Sequence, residues 1–493
     1  MPIGNVPACD AGARCRVRRC GVHVALIGAV LAAGAVSCVQ PESRDGVPLA
    51  EPAPFTANGT EVQGSRWWLA FADAELGERV DAALAGSFTL AEAWQRLREA
   101  RALTRVDRAA LYPSLDGTGD AALRDGSDVD EETQIGLGLR ASYEVDLWGR
   151  VRATVRAERL RTVATAEDYR AAAITLSAEV ASTWYELAES GLQLELIASQ
   201  IETNETVLAV LEKRFAVGQS DAADVLRQRQ LVELTREQAV IERARFEVLE
   251  HRLAVLEGRP PQAAGVVMPS GLPELSGLPA TGLPSELLGR RPDVRAALRR
   301  IEAADNDVAA AVRDQYPRID LAAALSTSAE NPAGLFDRWL ASLAGQVVAP
   351  LYDGGRRRAE VEREVAVREG LLARYGQVVL VAFQEVEDAL AQERLQGERL
   401  DLLKTRLGLA RDTYARLRTQ YLNGAADFID VLTALEDQQQ IERDVLTARL
   451  ERVRFRIDLH RALAGGFETP AETRDGIREA GGGEQPASGG RRG

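Results

Sequence analysis

The feature that most constrains this chain is an internal duplication at an offset of about 206 residues. The run Phe215-Ala-Val-Gly-Gln-Ser-Asp-Ala-Ala-Asp-Val-Leu226 falls without gaps on Tyr421-Leu-Asn-Gly-Ala-Ala-Asp-Phe-Ile-Asp-Val-Leu432. Gly149-Arg150 falls on Gly355-Arg356 at the same spacing, and Tyr112-Pro113 falls on Tyr316-Pro317 at nearly the same one. Landmarks in one order at one period mark a repeat architecture. Whatever this chain folds into, it builds twice.

Each half contains, after a first helical stretch, residues that alternate apolar and polar, the mark of a strand with one wet face. In 133–147 the odd positions run Ile135, Leu137, Leu139, Ala141, Tyr143, Val145, Leu147, and the even ones carry Arg140, Glu144 and Asp146. Strands are predicted at about 114–124, 133–147, 318–328 and 339–351. Four such strands leave two open edges that a monomer cannot hide. Closing a barrel with copies from other chains hides them. The acid-rich run 125–132 reads as a solvated loop between the first two strands. Its oxygens are dense enough to suggest calcium, but the spacing of a calcium loop is missing.

After the strands the period changes. Leu400, Leu403, Leu407, Ala410, Tyr414, Leu417 and Tyr421 step by three and four, and their mates Leu194, Ile197, Ile201, Asn204, Leu208, Leu211 and Phe215 do the same. This is a heptad seam, duplicated with the chain. Stretches 150–217 and 356–421 contain no proline, and helices of that length run about 100 Å. The shorter stretches 89–110 with 221–257, and 292–312 with 427–464, each stack end to end beside one long helix. The result is two antiparallel rods, with strands at one end and a glycine turn at the other.

The organisation follows. Residues 1–37 carry a basic run, an apolar stretch and small residues before Cys38, the pattern of a secretory signal. Cleavage before Cys38 leaves it to carry diacylglycerol and an N-acyl chain, the alternative being plain cleavage nearby with Cys38 lost. All four cysteines lie in the first 38 residues, as suits an envelope protein in an oxidising compartment. Residues 38–66 are a leash, 67–257 the first repeat, 258–285 a linker, 286–464 the second repeat, and 465–493 a disordered tail.

The formal net charge of -14 argues against nucleic acid. Of three histidines, His23 is lost with the signal, and His251 and His460 sit late in matching helices. No zinc spacing, P-loop or complete dinucleotide fingerprint is present, so neither an enzyme nor a metal or other cofactor is expected. A periplasmic coiled-coil scaffold lipoprotein would account for the heptads but not for strands placed equally in each half.

Several runs resemble one family. They are Trp67-Trp68 with Phe71 and Asp73, "LAEAWQRLREARA" from Leu90, "LLGRRPDVRAALRRIEAA" from Leu287, "PLYDGGRRRAEVE" from Pro350, and the two glycine turns. Together these are similar to the outer-membrane factors, or TolC-like ducts, of the lipoprotein branch serving resistance-nodulation-division efflux pumps. The resemblance implies a mainly α fold with a small β-barrel. It implies a homotrimer whose twelve strands, four per chain, close in the outer membrane above a long periplasmic helical barrel. It implies passive conduction of small molecules such as drugs from an inner-membrane transporter and a periplasmic adaptor (membrane fusion protein). The same duct in type I protein secretion or metal efflux is the alternative.

It also implies roles for residues. Asp427 and Asp430 map to the acids that ring the constricted entrance, although Thr433 stands where members often carry a further acid. Their structural alternative is capping and dipole compensation at a helix start. Arg214, Phe215, Gly218, Val225, Leu226, Tyr421, Gly424, Val431 and Leu432 map to tips that contact adaptor hairpins, the alternative being packing within the hairpin. Arg140, Glu144 and Asp146 are expected to face the barrel lumen, with Leu137 and Leu139 towards lipid.

Overall fold

A computed structural model describes residues 53–61, 64–126, 129–263, 269 and 271–481. The expected signal, Cys38 and the leash up to residue 52 lie outside the described residues.

Four antiparallel strands form one sheet in chain order: β1 (Ser114–Gly126), β2 (Val129–Glu144), β3 (Arg318–Ala329) and β4 (Leu340–Val348). The register sets Leu139 opposite Gly117 on one side and Leu325 on the other, and Arg140 opposite Asp116 and Ala324. Residues directly opposite share a face, so one face is apolar and the other carries the charges. Leu115, Leu343 and Val347 on the apolar face are 71%, 82% and 67% exposed. Outer strands β1 and β4 pair on one side only.

Two expectations about the strands need correction. The acid-rich run is not a loop: β1 continues to Gly126 and β2 begins at Val129, with Arg124 paired to Glu132. Strand β2 also stops at Glu144, not Leu147. Asp146 lies past its end, where its carboxylate accepts from the backbone N–H of Val151 at 3.1 Å and of Arg152 at 2.9 Å. Burial works to raise its pKa, but these N–H groups and the Arg152 guanidinium hold it below the ordinary carboxylate value. Asp146 therefore starts a helix and does not belong to the strand. Strand β4 ends at Val348, two residues before Pro350, which has no N–H for the ladder.

A short turn at Trp67–Phe71 leads into α1 (Ala74–Gly86) and α2 (Phe88–Ala109). After β2 comes α3 (Arg150–Ala216), then α4 (Ala222–Leu256). The second half repeats the plan with α5 (Pro284–Arg290), α6 (Pro292–Arg313), the strands, α7 (Arg356–Leu422) and α8 (Phe428–Leu463). Long helices α3 and α7 are continuous, and each flank is completed by two shorter helices. On the first flank α2 begins where α4 ends. A Cβ on Gly258 would lie 2.1 Å from the Gly86 carbonyl oxygen, so that junction requires glycine.

The largest core sits around this junction. Trp67, Trp68 and Phe71 pack with Tyr169, Trp184 and Tyr185 of α3 and Ile457 of α8. Trp67 donates from its indole N–H to Ser177 Oγ at 3.1 Å, and Trp184 to Asp73 at 2.9 Å. The tail corrects a further expectation. Residues 465–493 were expected to be disordered from their glycine content, yet Phe467 is buried edge-on to Trp68, and Thr469 bonds the Tyr169 hydroxyl at 2.8 Å. Helix α9 (Pro470–Gly481) follows. One aromatic anchor outweighs the loop-forming composition around it. Residues 53–61 also dock, Thr56 donating its N–H to Glu387 at 3.0 Å and Phe55 meeting Phe383 edge-on.

Candidate functional site: the paired hairpin tips

Each long helix reverses through a glycine. Gly218 (φ 72°) and Gly424 (φ 74°) take the left-handed conformation that a Cβ penalises. The helix-end pattern is the same in both. Gly218 N–H donates to Phe215 at 2.9 Å and Gln219 N–H to Arg214 at 2.8 Å, while Gly424 donates to Tyr421 at 3.0 Å and Ala425 to Gln420 at 2.8 Å.

The acids after the turns differ between the copies. Asp221 sits at the start of α4 and accepts from Ala222 N–H at 3.1 Å. Asp427 has the same backbone at the start of α8, φ -84° and ψ 152°, but its carboxylate makes no capping bond. Asp224 is held by Ser220 and Arg227, both at 3.5 Å. Its mate Asp430 is exposed and makes no ion pair among the described residues. The cause is legible in the repeat, where Ala426 replaces Ser220 and Thr433 replaces Arg227. Thr433 turns its hydroxyl back to the Ile429 carbonyl at 2.9 Å. The second tip thus carries two bare carboxylates per chain and the first tip none.

The residues expected at adaptor contacts separate into two groups. Val225, Val431 and Leu432 are buried with Leu211, Leu231, Phe428 and Leu435 in a core that joins the two hairpins. They pack the hairpins and offer no surface, which corrects their place in the contact set. Phe215 and Leu226 are exposed by 49% and 63%. Arg214 lies over the Tyr421 ring at 5.0 Å, an attraction between cation and ring face. The Tyr421 hydroxyl stands 3.4 Å from Ser220. Phe428 went unnoticed in the sequence because its mate is Ala222 and the repeat does not mark it.

Above the tips, α3 and α8 meet through buried amides. Asn204 donates to Thr235 at 2.9 Å and to Gln439 at 3.3 Å, and Gln439 donates back at 2.9 Å. Gln193 and Gln200 donate to the backbone carbonyls of Arg443 and Gln439. Asn204, an amide within an otherwise apolar seam, was the one sequence signal for this layer. At the other end of the rods, Arg140 lies on the polar face of β2. Glu144 is the last residue of that strand, and its two carboxylate oxygens accept from Arg150 Nη2 at 2.9 and 2.7 Å.

A four-stranded sheet with both edges open, carried on duplicated hairpins of very long helices, defines a subunit of an outer-membrane channel. The family model "Outer membrane efflux protein" matches residues 80–258 and 283–465, and the chain belongs to that family. It is 30% identical over 466 residues to the pyoverdine export outer membrane protein OpmQ of Pseudomonas aeruginosa, covering 91% of this chain and 97% of the relative. It is 28% identical over 439 residues to the cation efflux system protein CusC of Escherichia coli, covering 86% and 94%. The open-state outer-membrane channel MtrE of Neisseria gonorrhoeae superposes with a TM-score of 0.78 at 26% identity, covering 85% of this chain and 96% of MtrE. The protein is an outer-membrane component of an efflux system, and its family is one of transporters.

Proposed function

We propose that three copies close a twelve-stranded barrel and form the passive exit duct of a tripartite small-molecule efflux system. The observation that carries this is the sheet with two unpaired edges and an exposed apolar face, which only closure and lipid can satisfy. An inner-membrane transporter of the resistance-nodulation-division type supplies the energy, and a periplasmic adaptor grips the tips through exposed side chains such as Phe215 and Leu226. Asp427 and Asp430 line the entrance. Three bare copies of each around one axis attract cations and repel one another, so adaptor binding that splays the tips favours an open state. Cys38, acylated, holds the chain to the membrane. Organic cargo is favoured over soft metal ions, because the chain has 2 Met and no Cys beyond residue 38, and thioethers and thiolates are what such ions seek.

Single-channel recording in planar bilayers tests this, with wild type beside Asp427→Ala/Asp430→Ala. Trimer-dependent pores whose conductance rises in the double variant are expected. Unaltered pores would remove these acids from the gate, and a soluble monomer would overturn the duct. Mass spectrometry of the N-terminal peptide reads acylation at Cys38 directly.

A further inference from the structure

The two repeats differ at the end of the sheet remote from the helices. Strands β1 and β2 stay paired as far as Gly126 and Val129. Strands β3 and β4 part at Ser326 and Leu340, although β3 stays on β2 as far as Ala329. Residues 327–339 are thus free of the β3–β4 ladder. A connection of that length has two places to lie, across the mouth of the pore or over the outer wall. Thr327 and Ala329 set the side. They pair with Leu137 and Ile135, so their side chains stand on the apolar face. The Thr327 hydroxyl donates to the Leu335 carbonyl, and a Cβ on Gly334 would lie 3.5 Å from that of Ala329. The connection therefore folds back over the apolar face, and Thr327 and Leu335 are buried where the two meet. Asn331 closes its turn at Pro332–Gly334, its side chain accepting from Gly334 N–H at 3.0 Å.

What this fold-back presents is aromatic. Phe336 and Trp339 are 62% and 54% exposed, and their ring centroids stand 6.0 Å apart. Trp339 precedes Leu340, which pairs with Ser326 on the polar face, so alternation sets Trp339 on the apolar one. Its indole N–H has no partner among the described residues. Further along β4, exposed Leu343 and Val347 continue the same face towards the helices. Two large rings and a spare donor at the rim of an apolar wall suit a medium that is apolar below and polar above.

We propose that residues 330–339 form a lipid seat on the outside of the barrel, leaving its mouth uncovered. Phe336 and Trp339 lie where the acyl chains of the outer leaflet meet the headgroups, and the Trp339 N–H donates to a headgroup or ester oxygen. The occupant is membrane lipid, because the seat continues the wall that already faces it. Only the second repeat carries the seat, since β1 and β2 remain paired where β3 and β4 have parted. This deepens the duct reading and rests on its barrel.

Tryptophan quenching tests the seat in the full-length protein, reconstituted in vesicles of brominated phosphatidylcholine. The difference between wild type and Trp339→Phe isolates the Trp339 signal, because the other tryptophans cancel. That signal is expected to be quenched strongly by bromines just below the headgroup, less by bromines near the chain ends, and little by iodide in the water. Leu343→Trp in the Trp339→Phe background gives a reference on the open wall, quenched best by the deeper bromines. Pore conductance is measured on the same preparations. A Trp339 signal quenched by iodide and not by brominated lipid places the ring over the water-filled mouth and overturns the seat. A silent Trp339 beside a quenched Leu343→Trp reference also overturns the seat and leaves the barrel standing. No lipid quenching at either position, with no pores, overturns the barrel and the seat with it.

Discussion

Arg456 of α8 grips both carboxylate oxygens of Glu393 on α7, at 2.8 and 2.5 Å, with both side chains buried. The same guanidinium donates to the carbonyls of Ser276 at 3.2 Å and Gly277 at 2.9 Å, which ties the linker to the second hairpin. Removing one partner strands a buried charge. Glu393→Ala is expected to cost about 3–5 kcal/mol, read as a lower thermal unfolding midpoint. Glu393→Leu/Arg456→Met should recover much of the loss; a double variant as unstable as the single would deny that the unpaired charge is the cause.

The helix starts at the two tips should respond differently to one chemical change. Asp221→Ala removes a capping bond and should loosen the first tip by about 1 kcal/mol. Asp427→Ala removes none and should stay within about 0.5 kcal/mol. Hydrogen exchange at residues 217–226 and 423–432 measures both, and equal protection losses would contradict the asymmetry.

Charge selectivity should follow the second tip. Asp427→Asn/Asp430→Asn is expected to move the reversal potential in a salt gradient towards lower cation preference. Asp221→Asn/Asp224→Asn should move it less, because the Ala222 N–H, Ser220 and Arg227 already engage those carboxylates.

His460, stacked near Trp67 and edge-on to Phe71, is held neutral. Burial, aided by the Arg456 charge, pushes its pKa down to about 4 from 6.5. The unfolded chain therefore binds the extra proton first, so this stabilisation is complete above pH 6.5 and is lost as pH falls towards 4. Unfolding midpoints measured from pH 7 to 4.5 should fall less steeply in His460→Gln than in wild type.

Phe467→Ala should cost about 3–5 kcal/mol through the cavity it leaves against Trp68. Truncation after Gly466 should match or exceed the point variant. Melting curves of the three proteins decide whether the residues past the second repeat are structural.

Much of this was legible in the sequence, because the repeat states each element twice. Alternation at 133–143 and heptads at 194–215 and 400–421 prescribe strand and helix by period alone, and Gly218 and Gly424 fix the turns. What period cannot carry was missed. Asp146 reads as the next wet residue of a strand, and only the geometry shows its carboxylate gathering N–H groups to start α3. Val225, Val431 and Leu432 match a surface motif, but burial is a property of the neighbouring hairpin. The docking of Phe467 depends on a pocket built by residues some 400 positions earlier, Trp68 among them. The bare carboxylates of the second tip follow from the exchange of Arg227 for Thr433, one position past the run that aligns the two copies.

That exchange has a consequence for the symmetry of the duct. In the trimer proposed above, duplication would give six near-equivalent hairpins, a wall repeating every 60° around its axis. At its proposed entrance the repeat would be broken: self-neutralised tips would alternate with charged ones, so the electric field there would repeat every 120°. A six-bladed partner would meet two chemically different kinds of socket, and a threefold partner has one set on which charge can select it.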